Sequence, residues 1–386
     1  MNKPLSSLFL SLLLLGCAGV TEDAADDGFS EDDDAGGGTE SGGGSATGGR
    51  GFGVGGRSGP GAGGRSGGGV GGGSFGSGGL VSGDSGGSSS GPKRKKFVGN
   101  ITTDNRMDYA GKKFATYWDQ VTPENAGKWG SVQPNVGSQP NWSTLDSIYD
   151  YAEQNGLIFK QHVFIWGNQQ PNGVPNESDV RAWISGFCSR YKNTKVIDVV
   201  NEPPPHTTPN YTQNISAGAS GSWPWIVNAF KWARESCGDA ILLLNDYNNI
   251  EWDDEVDHFI SIAKDIKANG APIDAVGAQA HDCDHPQMTT ARVQANLRKL
   301  HEETGLPVHI TEYDVSFSSD AEQLRYYQEQ FPFFYETDWI EGITIWGWVR
   351  GRTWSQAPDS GLIDGNSGAP RPAMTWLMDY LERPSP

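Results

Sequence analysis

Cationic side chains are scarce in this chain: 29 Lys and Arg stand against 47 Asp and Glu in 386 residues, a formal net charge of −18 at pH 7. Holding nucleic acid requires a broad basic surface that displaces counterions, so this charge balance excludes it as a general function. The cluster Lys93-Arg94-Lys95-Lys96 reads instead as the solvated end of a linker. Long apolar runs are missing as well. The stretch from Leu8 to Leu15 behind Lys3 is far short of the roughly 20 residues that span a bilayer, and has the form of a signal-peptide core. Cysteine is rare, with 4 in all. His281, Cys283 and His285 lie close together, but no second cluster completes four ligands at a zinc-like spacing, so no metal is expected. No Gly-rich loop sits between a strand and a helix where it would cradle a phosphate, and no cofactor is expected either.

Tryptophan is absent from the first 117 residues, and that absence divides the chain. All 14 Trp fall between Trp118 and Trp376, whereas residues 36–91 hold 29 of the 53 Gly and no Trp. Only the later part can build a core. The N-terminal part is read in three pieces. Residues 1–17 form a signal peptide in which Leu14-Leu15-Gly16-Cys17 resembles a bacterial lipobox, with Cys17 the lipidated residue; a plain secretory signal with an incidental Cys17 is the alternative. Residues 18–96 form a linker, first acidic from Glu22 to Asp34, then rich in Gly and Ser, a composition that predicts a disordered tether. Its Gly/Ser section of about 56 residues would span roughly 40 Å. Localisation is therefore expected to be exported, at a bacterial cell surface or outer membrane if lipidated and otherwise secreted.

Residues 97–386 alternate short β-branched or aromatic runs with amphipathic stretches, the pattern of parallel strands separated by helices. Strands are predicted at Val98–Ile101, Gln120–Thr122, Ile158–Phe164, Val196–Val200, Ile241–Leu244, Ala275–Gly277, Val308–Ile310 and Ile343–Trp346. Helices are predicted at Ser143–Asn155, Val180–Tyr191, Trp225–Ser236, Asp254–Ala268, Thr290–Thr304, Asp320–Tyr335 and Pro372–Leu381. Eight strands so arranged make a single α/β domain, a (β/α)₈ TIM barrel, whose chemistry collects just past the C-terminal ends of the strands.

Two glutamates occupy such places. Val-Ile-Asp-Val-Val-Asn-Glu closes on Glu202 after strand four, and Val-His-Ile-Thr-Glu-Tyr-Asp places Glu312 after strand seven. A pair of carboxyls on opposite sides of one sugar ring is the minimum equipment for cutting a glycosidic bond: one protonates the leaving oxygen while the other attacks the anomeric carbon.

A series of motifs surrounds that pair. Thr-Pro-Glu-Asn with Lys128-Trp129, His162-Val-Phe-Ile-Trp166, Asn201-Glu202, Asn245-Asp246-Tyr247, Gln279-Ala-His281, Thr311-Glu312-Tyr313-Asp314, and Trp346 with Trp354 follow one another from about Phe97 to Leu381. In order and spacing this series resembles glycoside hydrolase family 10, the retaining endo-β-1,4-xylanases. The resemblance implies Glu202 as acid/base, Glu312 as nucleophile, His281 as the group that holds the nucleophile charged and oriented, and Asn201 as a contact to the sugar 2-hydroxyl. It implies a polar cradle for the non-reducing sugar from Glu124, Asn125, Lys128, His162 and Gln169. Trp166, Trp346 and Trp354 would offer flat faces to pyranose rings, Tyr247 would face the leaving-group side, and Gln279 belongs with His281. Within the barrel Cys188 and Cys237 fall on neighbouring outer helices and are expected to pair, leaving Cys283 free.

Three positions depart from the family pattern. Trp166 is followed by Gly167 rather than His, so an imidazole near the carboxyls is missing; Ala126-Gly127 stands where a bulky Met often precedes Lys; and Glu202 is followed by Pro203-Pro204-Pro205. Asn-Glu-Pro is the usual form in related barrels that cut cellulose or mannan. The expected substrate is xylan or a related β-1,4-linked polysaccharide; a β-glucan or mannan hydrolase, and a tethered carbohydrate-binding barrel without turnover, are the alternatives.

Overall fold

The computed structural model describes residues 96–386. The signal peptide, Cys17 and all but the last residue of the linker lie outside them. Eight parallel strands close into one barrel in chain order: β1 Phe97–Ile101, β2 Gln120–Thr122, β3 Ile158–Ile165, β4 Val196–Asn201, β5 Ile241–Asp246, β6 Ala275–Ala278, β7 Val308–Tyr313 and β8 Ile340–Ile345, with β8 returning to pair with β1. Short helices α1 Phe114–Tyr117 and α2 Trp129–Val132 precede the outer helices. Those are α3 Ser143–Asn155, α4 Glu177–Arg190, α5 Pro224–Cys237, α6 Asp253–Ala268, α7 Thr290–Thr304, α8 Asp320–Glu336 and α9 Pro372–Tyr380.

Local chemistry sets the helix ends. Asn176 starts α4 through a reciprocal capping box: its side chain accepts from the Asp179 amide, and Asp179 accepts from the Asn176 amide. Gly156 and Gly305 end α3 and α7 in the left-handed conformation, φ +67° and +63°, which glycine adopts without steric cost. On the outer ring Cys188 of α4 and Cys237 of α5 form a disulfide with their Cα atoms 5.1 Å apart. Closing a loop between residues 49 apart in sequence stabilises the oxidised chain by about 4 kcal/mol on a chain-entropy account. Cys283 is free and buried.

The barrel interior runs from apolar to polar. Phe97, Val196, Leu243 and Ala275 close the N-terminal end. The Phe97 ring fits because residue 342 is glycine: a β-carbon there would come within 2.2 Å of it. Further along, the Gln120 amide bonds to Thr122 at 2.6 Å and takes a bond from Thr344 at 2.9 Å. Lys160 of β3 lies 2.9 Å from Asp198 of β4, both essentially inaccessible. Burying a charge is costly unless it is paired, so this couple holds charge in the floor of whatever lies above it.

Two strand ends differ from expectation in a way that bears on function. β7 continues through Thr311, Glu312 and Tyr313, so Glu312 lies inside the strand rather than after it. β4 includes Asn201, which pairs in register with Asn245 of β5. Polar residues read from composition as loop are held here by ladder hydrogen bonds and burial, which outweigh their weak β propensity.

Candidate active site

A cleft of about 830 Å³ opens at the C-terminal face. All fourteen residues singled out from sequence line it: Glu124, Asn125, Lys128, His162, Trp166, Gln169, Asn201, Glu202, Tyr247, Gln279, His281, Glu312, Trp346 and Trp354. Asp104, Asn168, Asn248, Asp282, Arg352, Thr353 and Gln356, which sequence reasoning had not selected, complete the lining. Four of the lining residues, Asp104, Gln169, Glu202 and Asn248, hold a left-handed φ although none is glycine. Such backbone costs of order 1–3 kcal/mol per residue and persists only where surrounding contacts enforce it.

The two glutamates share a polar network but not an environment. Asn201 and Gln279 donate to Glu202 Oε1 at 3.1 and 3.2 Å, and the Trp166 indole N–H donates to Oε2 at 2.7 Å. Asn245 Nδ2 bridges, donating to Asn201 Oδ1 at 2.7 Å and to Glu312 Oε1 at 2.9 Å. Asn245 is itself fixed by Thr311, and Gly277 beneath it leaves room that a β-carbon would fill, 2.2 Å from Asn245 Oδ1.

Glu312 is buried among basic side chains. His281 Nε2 is 3.5 Å from Oε2, His162 Nδ1 is 4.0 Å from Oε1, and Lys160 lies below. Burial alone would push this carboxyl up; His162, His281 and Lys160 outweigh it and hold it at about 2. His281 is in turn 3.1 Å from Asp314. Burial would depress the imidazole, but the Asp314 and Glu312 carboxylates keep it well above the ordinary histidine range, so it is the charged partner of Glu312 near neutral pH. The stability this pair contributes is present between the two groups' ordinary values. It is lost as pH falls towards about 2, where Glu312 protonates, or rises through the elevated His281 value, where the cation disappears. His281→Ala is accordingly expected to raise the Glu312 carboxyl and move the acid limb of the kcat/KM profile up by roughly one pH unit. An unmoved limb in that variant would show that Lys160 and His162 suffice.

At the opposite wall Lys128 donates to Asn125 at 2.9 Å and its ammonium sits 4.9 Å from the centre of the Trp166 ring. Burial lowers the Lys128 ammonium against the pull of Glu312, Glu124 and Glu202, and burial raises Glu124 to about 7 despite Lys128. A buried amine, a half-buried carboxyl and an exposed amide in one corner make a hydrogen-bonding cradle for hydroxyls.

Some expected roles shift. Trp166 contributes its indole N–H to Glu202 besides its ring. Trp346 is buried and meets His162 edge-on at 5.3 Å, while Trp354 lies against His281 and donates to Asp314 at 2.9 Å. His281, Cys283 and His285 part company: His281 faces the cleft, Cys283 is buried against Glu251, and His285 packs on Trp252. Among the described residues no group of three or more His, Cys, Asp and Glu is placed to hold a metal ion. Gly127 has its reason in packing, since a β-carbon there would lie 2.5 Å from the His162 carbonyl. The same holds for Gly167, where a β-carbon would lie 2.7 Å from that of Thr207. Thr207 accepts from the Gly167 amide and donates to the Glu202 carbonyl at 2.7 Å, so its side chain takes the space that any larger residue at 167 would need.

Comparison with known proteins agrees with this geometry. The model of glycosyl hydrolase family 10 matches residues 92–380. Endo-1,4-beta-xylanase B of Cellvibrio japonicus is 44% identical over 297 residues, covering 75% of this chain and 46% of that protein. The chain thus spans about half the length of that relative. Endo-1,4-beta-xylanase A of Caldicellulosiruptor saccharolyticus is 29% identical, covering 68% of this chain and 86% of its own. The structure of GH10 from Paenibacillus barcinonensis superposes with a TM-score of 0.64 at 22% identity, over 75% of this chain and 96% of the other.

Proposed function

This chain belongs to glycosyl hydrolase family 10, and from that membership together with the paired carboxyls we propose that it is an endo-1,4-β-xylanase acting with retention of configuration. Glu312 attacks the anomeric carbon and Glu202 protonates the departing glycosidic oxygen. Glu202 then takes a proton from the water that releases the sugar from Glu312. The observation that carries this reading is the unequal setting of the two carboxyls. Glu312 is buried beside His281, His162 and Lys160 and held ionised at about 2. Glu202 is partly open to the cleft, and its hydrogen-bond donors Trp166, Asn201 and Gln279 are all neutral. An acid/base must exchange a proton each turnover and a nucleophile must not, so the two environments match the two tasks. The cradle of Glu124, Asn125 and Lys128 would bind the sugar on the non-reducing side.

The test is release of reducing ends from xylan, carboxymethylcellulose and mannan by residues 97–386, with the first anomer followed by NMR. Cleavage of xylan giving the β-anomer first is expected. Activity confined to glucan or mannan would transfer the same chemistry to those polymers, and binding without cleavage of any of the three would leave a carbohydrate-binding barrel.

Export and tethering belong to the same proposal. The apolar core ending in Leu14-Leu15-Gly16-Cys17, the Gly/Ser tract, and a disulfide suited to an oxidising compartment support it. A mature protein starting at Cys17 and carrying a diacylglyceryl mass is expected. An intact, unprocessed N-terminus would refute it.

A further inference from the structure

The segment that follows Glu202, Pro203-Pro204-Pro205-His206-Thr207-Thr208, leaves a histidine outside every role assigned so far. We propose that His206 is a positioning residue for the leaving-group half of the substrate, fixing the Tyr247 ring as the surface on which the departing sugar packs. The inference rests on the xylanase reading above and adds to it a residue that does not touch the sugar.

The His206 and Tyr247 rings are stacked, with centroids 3.9 Å apart and planes 16° from parallel. Both imidazole nitrogens are occupied within the protein: Nδ1 lies 2.7 Å from Asp246 Oδ1 and Nε2 lies 3.3 Å from Glu255 Oε2. The side chain is 9% exposed and does not line the cleft, whereas Tyr247 is half-buried and does. Asp246 also accepts from the Tyr247 amide at 2.9 Å, so one carboxylate sets both the backbone and the ring behind which it stands. Burial works against charge on His206, but Asp246 and Glu255 prevail and raise it. Two rings held flat against each other at this distance limit each other's rotation and gain contact over their whole faces. The loop itself is pinned, as His258 meets the Pro204 carbonyl at 2.8 Å and Thr207 meets that of Glu202.

Position supplies the rest. Glu124, Asn125, Lys128 and Gln169 crowd the wall built by β2 and β3, while the wall beyond β5 and β6 offers Tyr247 as its one Phe, Tyr or Trp among the described cleft residues. A sugar there depends on that ring for an apolar face, and on whatever holds it still.

His206→Ala, Tyr247→Ala and wild type are to be compared on xylohexaose, whose leaving group is a sugar chain, and on 4-nitrophenyl β-xylobioside, whose leaving group is not. His206→Ala should lower kcat/KM on xylohexaose about tenfold, chiefly through KM, and change the aryl substrate by no more than about twofold. His206→Phe, which keeps the stack, should recover most of that loss. Tyr247→Ala should show the same split between substrates. Equal losses on both substrates, or no loss on xylohexaose, would overturn the proposal. A Tyr247→Ala chain that loses nothing does so whether or not His206→Ala folds. Wild type inert towards both substrates would instead bring down the xylanase reading.

Discussion

Glu312→Ala is expected to abolish turnover of xylan, with kcat falling by a factor on the order of 10⁵, while the fold and substrate binding survive. The reason lies in how many groups are organised around one carboxyl. His281, His162, Lys160 and Asn245 all point charge or a hydrogen bond at it, and none of them can attack carbon in its place. Removing the carboxyl leaves a small space on the face of the sugar opposite the leaving group. Azide fits that space and needs no deprotonation. With an aryl xylobioside, azide should therefore restore measurable turnover and give the α-glycosyl azide, the product of a single inversion. A β-azide, or a loss of only a few-fold, would show that Glu312 is not the attacking group. The same variant loses the buried anion that keeps His281 charged, so the imidazole should titrate lower than in wild type, where Asp314 and Glu312 act together.

The barrel was legible because its strands are short apolar runs at regular intervals, and the lining of its cleft because Glu202, Glu312 and the twelve residues around them follow those runs. Less visible was anything that depends on contacts between distant segments. Lys160 and Asp198 interrupt apolar strands at Phe-Lys-Gln-His-Val and Val-Ile-Asp-Val-Val, and two opposite charges in adjacent buried strands were the available sign of a pair under the site. Gly167 signalled a missing imidazole. That Thr207 fills the space could not be seen, because the two meet only when the β3 and β4 loops fold together across 40 residues of sequence. Trp166 shows only a flat face in the sequence, since composition says nothing of where an indole N–H will point. The single turns α1 and α2 were invisible for a simpler reason: four residues carry too little periodicity to register. Strands run past their apolar stretch wherever a polar residue sits inside the ladder, as with Glu312 in β7.

Glu202→Ala separates the two halves of the reaction. On xylan the departing sugar is a poor leaving group that needs a proton, and losing the donor should cost about 10²–10⁴-fold. An aryl xylobioside with an acidic phenol leaves without that proton, so its first step should proceed at nearly the wild-type rate. The second step has no base to activate water, and the sugar should accumulate on Glu312, visible as a burst of phenol followed by slow turnover and as added mass on the intact protein. Azide, which needs no base, should relieve the slow step and yield the β-glycosyl azide, because two inversions now occur instead of one. The loop contacts hold the backbone in this variant: Thr207 bonds the Glu202 backbone carbonyl and Asn245 ties Asn201 to Glu312, so the truncated position keeps its place while Trp166, Asn201 and Gln279 lose an acceptor. Opposite azide anomers from the Glu202 and Glu312 variants assign the two roles independently of any rate. If Glu202→Ala gave the α-azide and no trapped sugar, the assignments would have to be exchanged, and the basic side chains around Glu312 would need another explanation.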